Sequence, residues 1–106
     1  MEIIEDNQTK KYELTCIVPA GYTKSELDKL QSGLTDFLKE KGAKIEEEVT
    51  WGKRELAYTI RKQGKAFSEG NYFHWVFSAE PNDISDLRKG LNLRDEIVRK
   101  LLVVVE

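Results

Sequence analysis

The sequence has one cysteine, one histidine and two prolines in 106 residues, and these scarcities exclude several classes of protein. Cys16 has no second cysteine for an internal disulfide, so the fold must depend on packing alone, as in a reducing compartment. No run of consecutive apolar residues approaches the roughly 18 positions that a helix needs to cross a bilayer. The N-terminus is acidic where a signal peptide would be basic. We therefore expect a cytoplasmic protein without a membrane span or a cleaved leader.

Side-chain arrangements that perform catalysis or hold a metal are also missing. His74 stands in a strand-like segment without the nucleophile and acidic neighbour of a catalytic triad. The glutamates Glu46, Glu47 and Glu48 are consecutive, so on a strand they alternate between faces and cannot ligate one metal ion. Glycine-rich phosphate loops, HExxH and Cys-x-x-Cys spacings do not occur. We predict no enzyme activity, no metal site and no cofactor.

Charge is abundant, and it is segregated along the chain. The net charge is only −2, so the domain as a whole is not basic. Residues 26–48 hold seven acidic residues against four lysines, a balance of −3. Residues 51–66 hold five basic residues against one acidic (+4), and residues 88–100 hold five against two (+3). The two basic segments can attract RNA or an acidic partner, although a solvated strand edge or loop would have similar counts.

Alternation of apolar and polar residues with a period of two predicts strands. The strands cover 11–18, 45–60 and 72–79. Gly52 interrupts the long second strand, which indicates a bulge or bend there. Residues 63–70 are predicted to form a turn region. A final strand over 97–105 is β-branched and apolar on both faces, which is typical of a central strand covered on both sides.

Two helices lie between these strands. Thr23 and Glu26 have the spacing of a capping box, and Gly42 is suited to end the helix that begins there. Pro81 opens a shorter helix that ends near Asn92. The apolar stripe of the first helix, which is predicted to face the core, consists of Leu27, Leu30, Leu34, Phe37 and Leu38.

The order strand, helix, strand, strand, helix, strand predicts an α+β fold, a split βαβ unit of the ferredoxin-like type. Two helices cover one face of a four-stranded antiparallel sheet in this fold, so the other sheet face is left bare. We place Trp75 on the covered face, and Tyr72, His74 and Val76 on the bare one. Residues 10–106 are predicted to form this one domain, and residues 1–9 a flexible N-terminal tail.

Residues 51–62 read WGKRELAYTIRK and are followed by the string GNYF at 70–73. This stretch resembles the most recognisable segment of the bacterial small-subunit ribosomal protein six family. Similar segments around the first strand, before the second helix and into the last strand extend the resemblance from about residue 11 to 105. It implies a ferredoxin-like ribosomal protein without catalytic activity. Members of the family bind the central domain of the small-subunit ribosomal RNA jointly with ribosomal protein eighteen.

The resemblance also implies which residues make these contacts. We expect phosphate contacts from the basic residues Lys10, Lys11, Lys53, Arg54, Arg94 and Arg99. We expect contacts with the protein partner from Tyr58, Ile60, Tyr72, His74 and Val76. A small-molecule substrate and a membrane are not expected among the partners.

Three other functions fit the same topology. A regulatory or metabolite-binding domain would dimerise through the open sheet face. An acylphosphatase-type enzyme would need an arginine in the anion-binding loop after the first strand, and residues 19–22 contain none. A reader of single-stranded RNA would stack bases on aromatics of the third strand. Glu69 stands where its motif has a basic residue, and the aromatics that follow are divided between the two faces.

Overall fold

The structure, a computed structural model, describes residues 9–62 and 64–105, without the side chains of Ala57, Tyr58 and Lys62. Apart from Thr9, the predicted N-terminal tail lies outside the described residues. The elements follow the predicted order. They are β1 (Lys10–Pro19), α1 (Lys24–Glu40), β2 (Lys44–Lys62), β3 (Lys65–Ala79), α2 (Pro81–Asn92) and β4 (Arg99–Val105).

The strands form one four-stranded sheet in the order β2-β3-β1-β4, and every neighbouring pair is antiparallel. Alternate residues of β1 and β3 are buried, as the period of two requires. Their buried side chains share one hydrophobic cluster with those of α1 and α2, so both helices pack on the same sheet face. The predicted ferredoxin-like fold is confirmed.

The core lies between this covered face and the helices. Its largest fully buried side chains include Trp75, Phe73 and Phe77 from β3, as the alternation predicts. Cys16 is also fully buried, and this burial raises the pKa of its thiol to about 12. Cys16 is therefore a small core residue, as expected for a lone cysteine on an apolar strand face.

Both helices begin and end where the sequence indicates. The Thr23 hydroxyl accepts a hydrogen bond from the Glu26 amide (3.1 Å), and the Glu26 carboxylate accepts one from the Thr23 amide (2.8 Å). These two bonds form the predicted capping box. Gly42, just after α1, has a φ of 97°, a conformation that glycine adopts without strain. Helix α2 starts at Pro81 and ends at Asn92.

A glycine in α2 sets how closely this helix approaches α1. A Cβ atom added to Gly90 would lie 2.3 Å from Cζ of the Phe37 ring, which belongs to the core cluster. We expect Gly90→Ala to lower the free energy of unfolding by about 1–3 kcal/mol, because overpacking outweighs the better helix propensity of alanine. Gly33→Ala in α1 is the control, since no atom lies within 4 Å of its added Cβ. Urea midpoints check both variants, and equal stabilisation of the two would contradict the close packing.

The predicted position of the last strand is wrong. β4 pairs with β1 only and forms an edge of the sheet. Its helix-side residue Leu102 packs against the core, whereas Leu101 on the opposite face is 62% exposed. A strand with apolar residues on both faces looks central in the sequence. Here one of those faces meets nothing in the described part of the chain.

The predicted turn over 63–70 is also wrong, because Lys65–Ala79 is one continuous strand. Pairing of β3 with β1 stops at Gly70, but pairing with β2 continues to Lys65. The β2–β3 hairpin therefore extends past the sheet as a two-stranded arm, about 17 Å long at 3.4 Å per residue. The molecule measures 55 × 24 × 22 Å as a result. A ribbon surrounded by water needs no alternation of apolar residues, which is why its sequence resembles a turn.

Candidate functional site

The sheet face opposite the helices, here called the open face, is bare in the described part of the chain. Residues paired across neighbouring strands share a face, so the register assigns its side chains in rows. The arm-end row holds Gly52, Tyr72, Ile17 and Arg99, and the next row holds Val49, His74, Thr15 and Leu101. The third row holds Glu47, Val76, Glu13 and Val103.

Aromatic rings are stacked at the arm end of the open face. The Trp51 ring lies on the His74 ring with centroids 4.7 Å apart and an interplanar angle of 14°, and it approaches Tyr72 at 6.3 Å. The His74 Nδ1 atom is hydrogen-bonded to the Thr15 hydroxyl (2.9 Å). The imidazole is thus held between the β1 hydroxyl and the indole.

On the open face, β4 contributes two exposed apolar side chains. Leu101 and Val103 are 62% and 39% exposed, and both lie beside β1 in the middle rows. Exposed apolar side chains that adjoin one another on a small protein mark an interaction surface.

The opposite end of the open face carries an ion pair. Lys11 Nζ lies 3.3 Å from Glu46 Oε1, and Glu46 also accepts a hydrogen bond from the Ser78 hydroxyl. The Ser78 hydrogen bond, followed by Lys11, lowers the pKa of the Glu46 carboxyl. Lys11 is therefore already paired with a carboxylate inside the molecule.

The six predicted phosphate contacts do not form one patch. Arg54, which pairs with Gly70, and Arg99 share the arm end of the open face, about three strand spacings or 15 Å apart. Lys53 pairs with Asn71 and points to the other face of the sheet. Lys10 and Lys11 lie at the far end of β1, about 20 Å from the arm end. Arg94 lies on the helix side, 4.9 Å from the centre of the Phe37 ring.

The predicted partner contacts divide in a similar way. Tyr72, His74 and Val76 are half-buried on the open face, at alternate positions of β3. Ile60 belongs to the arm and is buried within the chain. The side chain of Tyr58, also in β2, lies outside the described residues.

Neither helix within residues 9–62 and 64–105 is long and apolar enough to cross a membrane. The same residues contain no group of three or more potential metal-ligating side chains.

Comparison with known proteins decides among the functions that fit this topology. The sequence pattern of the family described as Ribosomal protein S6 matches residues 11–104. The chain belongs to this family. It is therefore a ribosomal protein of the small subunit, which confirms the resemblance seen in the sequence and the predicted location in the cytoplasmic ribosome.

Individual relatives agree with the family assignment. The small ribosomal subunit protein bS6 of Campylobacter jejuni is 34% identical over 97 residues, covering 92% of this chain and 74% of the relative. The bS6 protein of Dictyoglomus turgidum is 26% identical, covering 92% of this chain and 96% of the relative. The crystal structure of 30S ribosomal protein S6 from Thermotoga maritima has the same fold, with a TM-score of 0.82 at 23% identity. That match covers 92% of this chain and 88% of the other.

Several exposed residues of this S6-family chain were not among the predicted contacts. Trp51 opens the segment that resembles the family, but its stacking on the open face depends on the bulge in β2. Arg61 and Lys65 are exposed on the arm, and the charge balance of residues 51–66 was the signal that could have found them. Leu101 is not among the predicted contacts, because its strand is predicted to be central and covered on both faces.

Proposed function

We propose that the chain is a non-catalytic structural component of the small ribosomal subunit. In this proposal it binds the central domain of the small-subunit ribosomal RNA together with ribosomal protein eighteen. Residues 10–106 act as the domain that makes these contacts. The observation that supports the proposal is the open face, which has exposed apolar side chains on β4 and basic and aromatic side chains at its arm end.

The protein partner is assigned to the half of the open face nearer to β4. Leu101 and Val103 lie there in neighbouring rows, and the same two rows include His74 and Val76 on β3. Covering such side chains removes apolar area from water, at roughly 25 cal/mol per Å². Because β4 is an edge strand, a partner can reach it along its whole length. A protein with a complementary apolar surface fits this half.

RNA is assigned to the arm end. Arg54 and Arg99 lie on the open face there and Lys53 on the other face, so phosphates can be contacted on both faces of the sheet. Arg61 and Lys65 add positive charge near the tip of the arm, beyond the paired Glu55 and Glu69. Lys10, Lys11 and Arg94 lie elsewhere, and the proposal gives them no part in this contact.

The other candidate, a metabolite-binding domain that dimerises through the open face, differs in measurable behaviour. It requires a stable dimer of this chain, whereas the proposed function requires a chain that remains monomeric until its partner is added. Sedimentation equilibrium of the isolated protein separates the two. A stable homodimer would favour the alternative.

Joint binding predicts that ribosomal protein eighteen raises the affinity for RNA. Because the net charge is −2, we expect the chain alone to bind labelled central-domain RNA weakly. With contacts to about three phosphates, the logarithm of the association constant should fall linearly with the logarithm of the salt concentration, with a slope of about −2 to −3. The measurement is a titration with and without the partner at two salt concentrations. Equal affinities in both titrations would contradict joint binding.

A further inference from the structure

A bulge in β2 places Trp51 on the open face. Thr50 pairs with Phe73 and Gly52 pairs with Tyr72, so Trp51 is the extra residue between two ladder positions. Gly52 has a φ of 82°, which the bulge requires and glycine supplies without strain. The indole leaves the strand ladder and lies over the rings of β3.

The indole is held rigidly while much of it stays exposed. One ring face rests on His74, whose imidazole is hydrogen-bonded to Thr15. Trp51 is nevertheless 41% exposed. A fixed ring loses little conformational freedom when a second flat group stacks on it, and this lowers the entropic cost of binding.

Positive charge lies beside this ring on the same face. Arg54 Nε donates a hydrogen bond to the Trp51 carbonyl oxygen at 3.4 Å, so the guanidinium lies near the main chain of the residue that bears the indole. Arg99 stands at the other end of the arm-end row. An exposed flat ring with an arginine near it is complementary to a nucleotide, because the base stacks on the ring while the phosphate contacts the guanidinium.

We propose that the outer face of the Trp51 ring binds one unpaired RNA base, with Arg54 contacting a phosphate of the same nucleotide. This inference rests on the proposed function and adds a base contact to it. The base must be unpaired, since a base inside a duplex does not expose its flat face. Stacking of this kind tolerates any base, so the site adds affinity without strong sequence preference.

The test uses a labelled single-stranded hexanucleotide of adenylate and the full chain, followed by fluorescence anisotropy. We expect Trp51→Leu to weaken binding about ten-fold with an unchanged salt slope, because stacking releases no counterions. Trp51→Phe should restore most of the affinity. Arg54→Gln should weaken binding and reduce the salt slope by about 0.7, the value for one phosphate on a single strand.

Lys10→Gln is the matched control, because it removes the same charge from the far end of β1, about 20 Å from the arm end and outside the proposed RNA contact. It should change the affinity for the hexanucleotide by less than about two-fold, since one distant charge contributes little. The proposal is wrong if Trp51→Leu binds as tightly as the native chain. It is also wrong if Lys10→Gln weakens binding as much as Arg54→Gln while both tryptophan variants bind normally, because general electrostatic attraction would then explain the binding.

Capture of ribosomal protein eighteen distinguishes this proposal from the proposed function. If Trp51→Leu loses capture but binds the hexanucleotide normally, the ring belongs to the protein interface, and the base contact fails while joint assembly stands. If the native chain binds the hexanucleotide but central-domain RNA gains nothing from the partner, the proposed function fails and the base contact stands. Denaturant midpoints are measured for all variants, and binding is compared between samples with the same folded fraction. Unfolding then cannot explain a loss of binding.

Discussion

Trp75→Ala is expected to lower the free energy of unfolding by about 3–5 kcal/mol, as for other truncations of large buried aromatics. Trp75 is fully buried in the middle of β3. Its Nε1–H donates to the Thr35 hydroxyl (2.9 Å), which in turn donates to a carboxylate oxygen of Glu48 (3.0 Å). The side chain thus joins β3, α1 and β2. Small domains have only about 5–15 kcal/mol in total, so much of the stability depends on this residue. Equilibrium urea unfolding measures the loss.

Two further variants test why Trp75 contributes to stability. One separates ring packing from the hydrogen bond, and the other tests which sheet face the side chain occupies. Trp75→Phe keeps an aromatic ring but removes the donor to Thr35, and it should cost less than the alanine variant. His74→Ala changes the adjacent residue, which points to the open face, and should cost no more than about 1 kcal/mol. If His74→Ala unfolded the domain while Trp75→Ala did not, the assignment of the two sheet faces would be inverted.

The periodicity of β3 was readable from the sequence because it records burial directly. Every second residue from Phe73 to Ala79 packs against the helices, and a strand with one covered face requires this alternation. The capping box at Thr23 was equally local, since it involves atoms three residues apart. Features that depend on neighbours in sequence, or on one side-chain period, could therefore be predicted.

The position of β4 could not be predicted in that way. Whether a strand lies at the centre or the edge depends on pairing between distant segments, here β1 with β4. Apolar residues on both faces fit a central strand, and they equally fit an edge strand whose open face binds a partner. The arm was missed for a related reason, because a solvated ribbon has no buried face to impose a pattern.

The candidate site was predicted only as a set of residue types. Basic residues were identifiable, but their surroundings depend on long-range contacts. Lys11 meets Glu46, which lies 35 positions further along the chain, and Arg94 meets the Phe37 ring. Charge counting cannot distinguish such cations from Arg54, which the bulge and the register place beside an exposed ring.

Leu101→Glu is expected to weaken capture of ribosomal protein eighteen by about thirty-fold or more. The proposed interface covers Leu101, and a carboxylate buried there without a partner costs about 2 kcal/mol or more, which corresponds to that factor. Folding should change by no more than about 1 kcal/mol, because the native side chain is 62% exposed on an edge strand. Binding is measured by titrating labelled partner into each variant, and urea midpoints verify the fold.

Leu93→Glu supplies the matched control, since it introduces the same carboxylate at another exposed leucine. Leu93 is 82% exposed and follows α2, outside the sheet. Its variant should capture the partner as the native chain does, with only the small loss of stability that a negative charge near a helix C-terminus causes. If both variants lost capture equally, added negative charge alone would account for the effect. If neither did, the partner would bind elsewhere, and the exposed apolar rows of β4 would need another occupant.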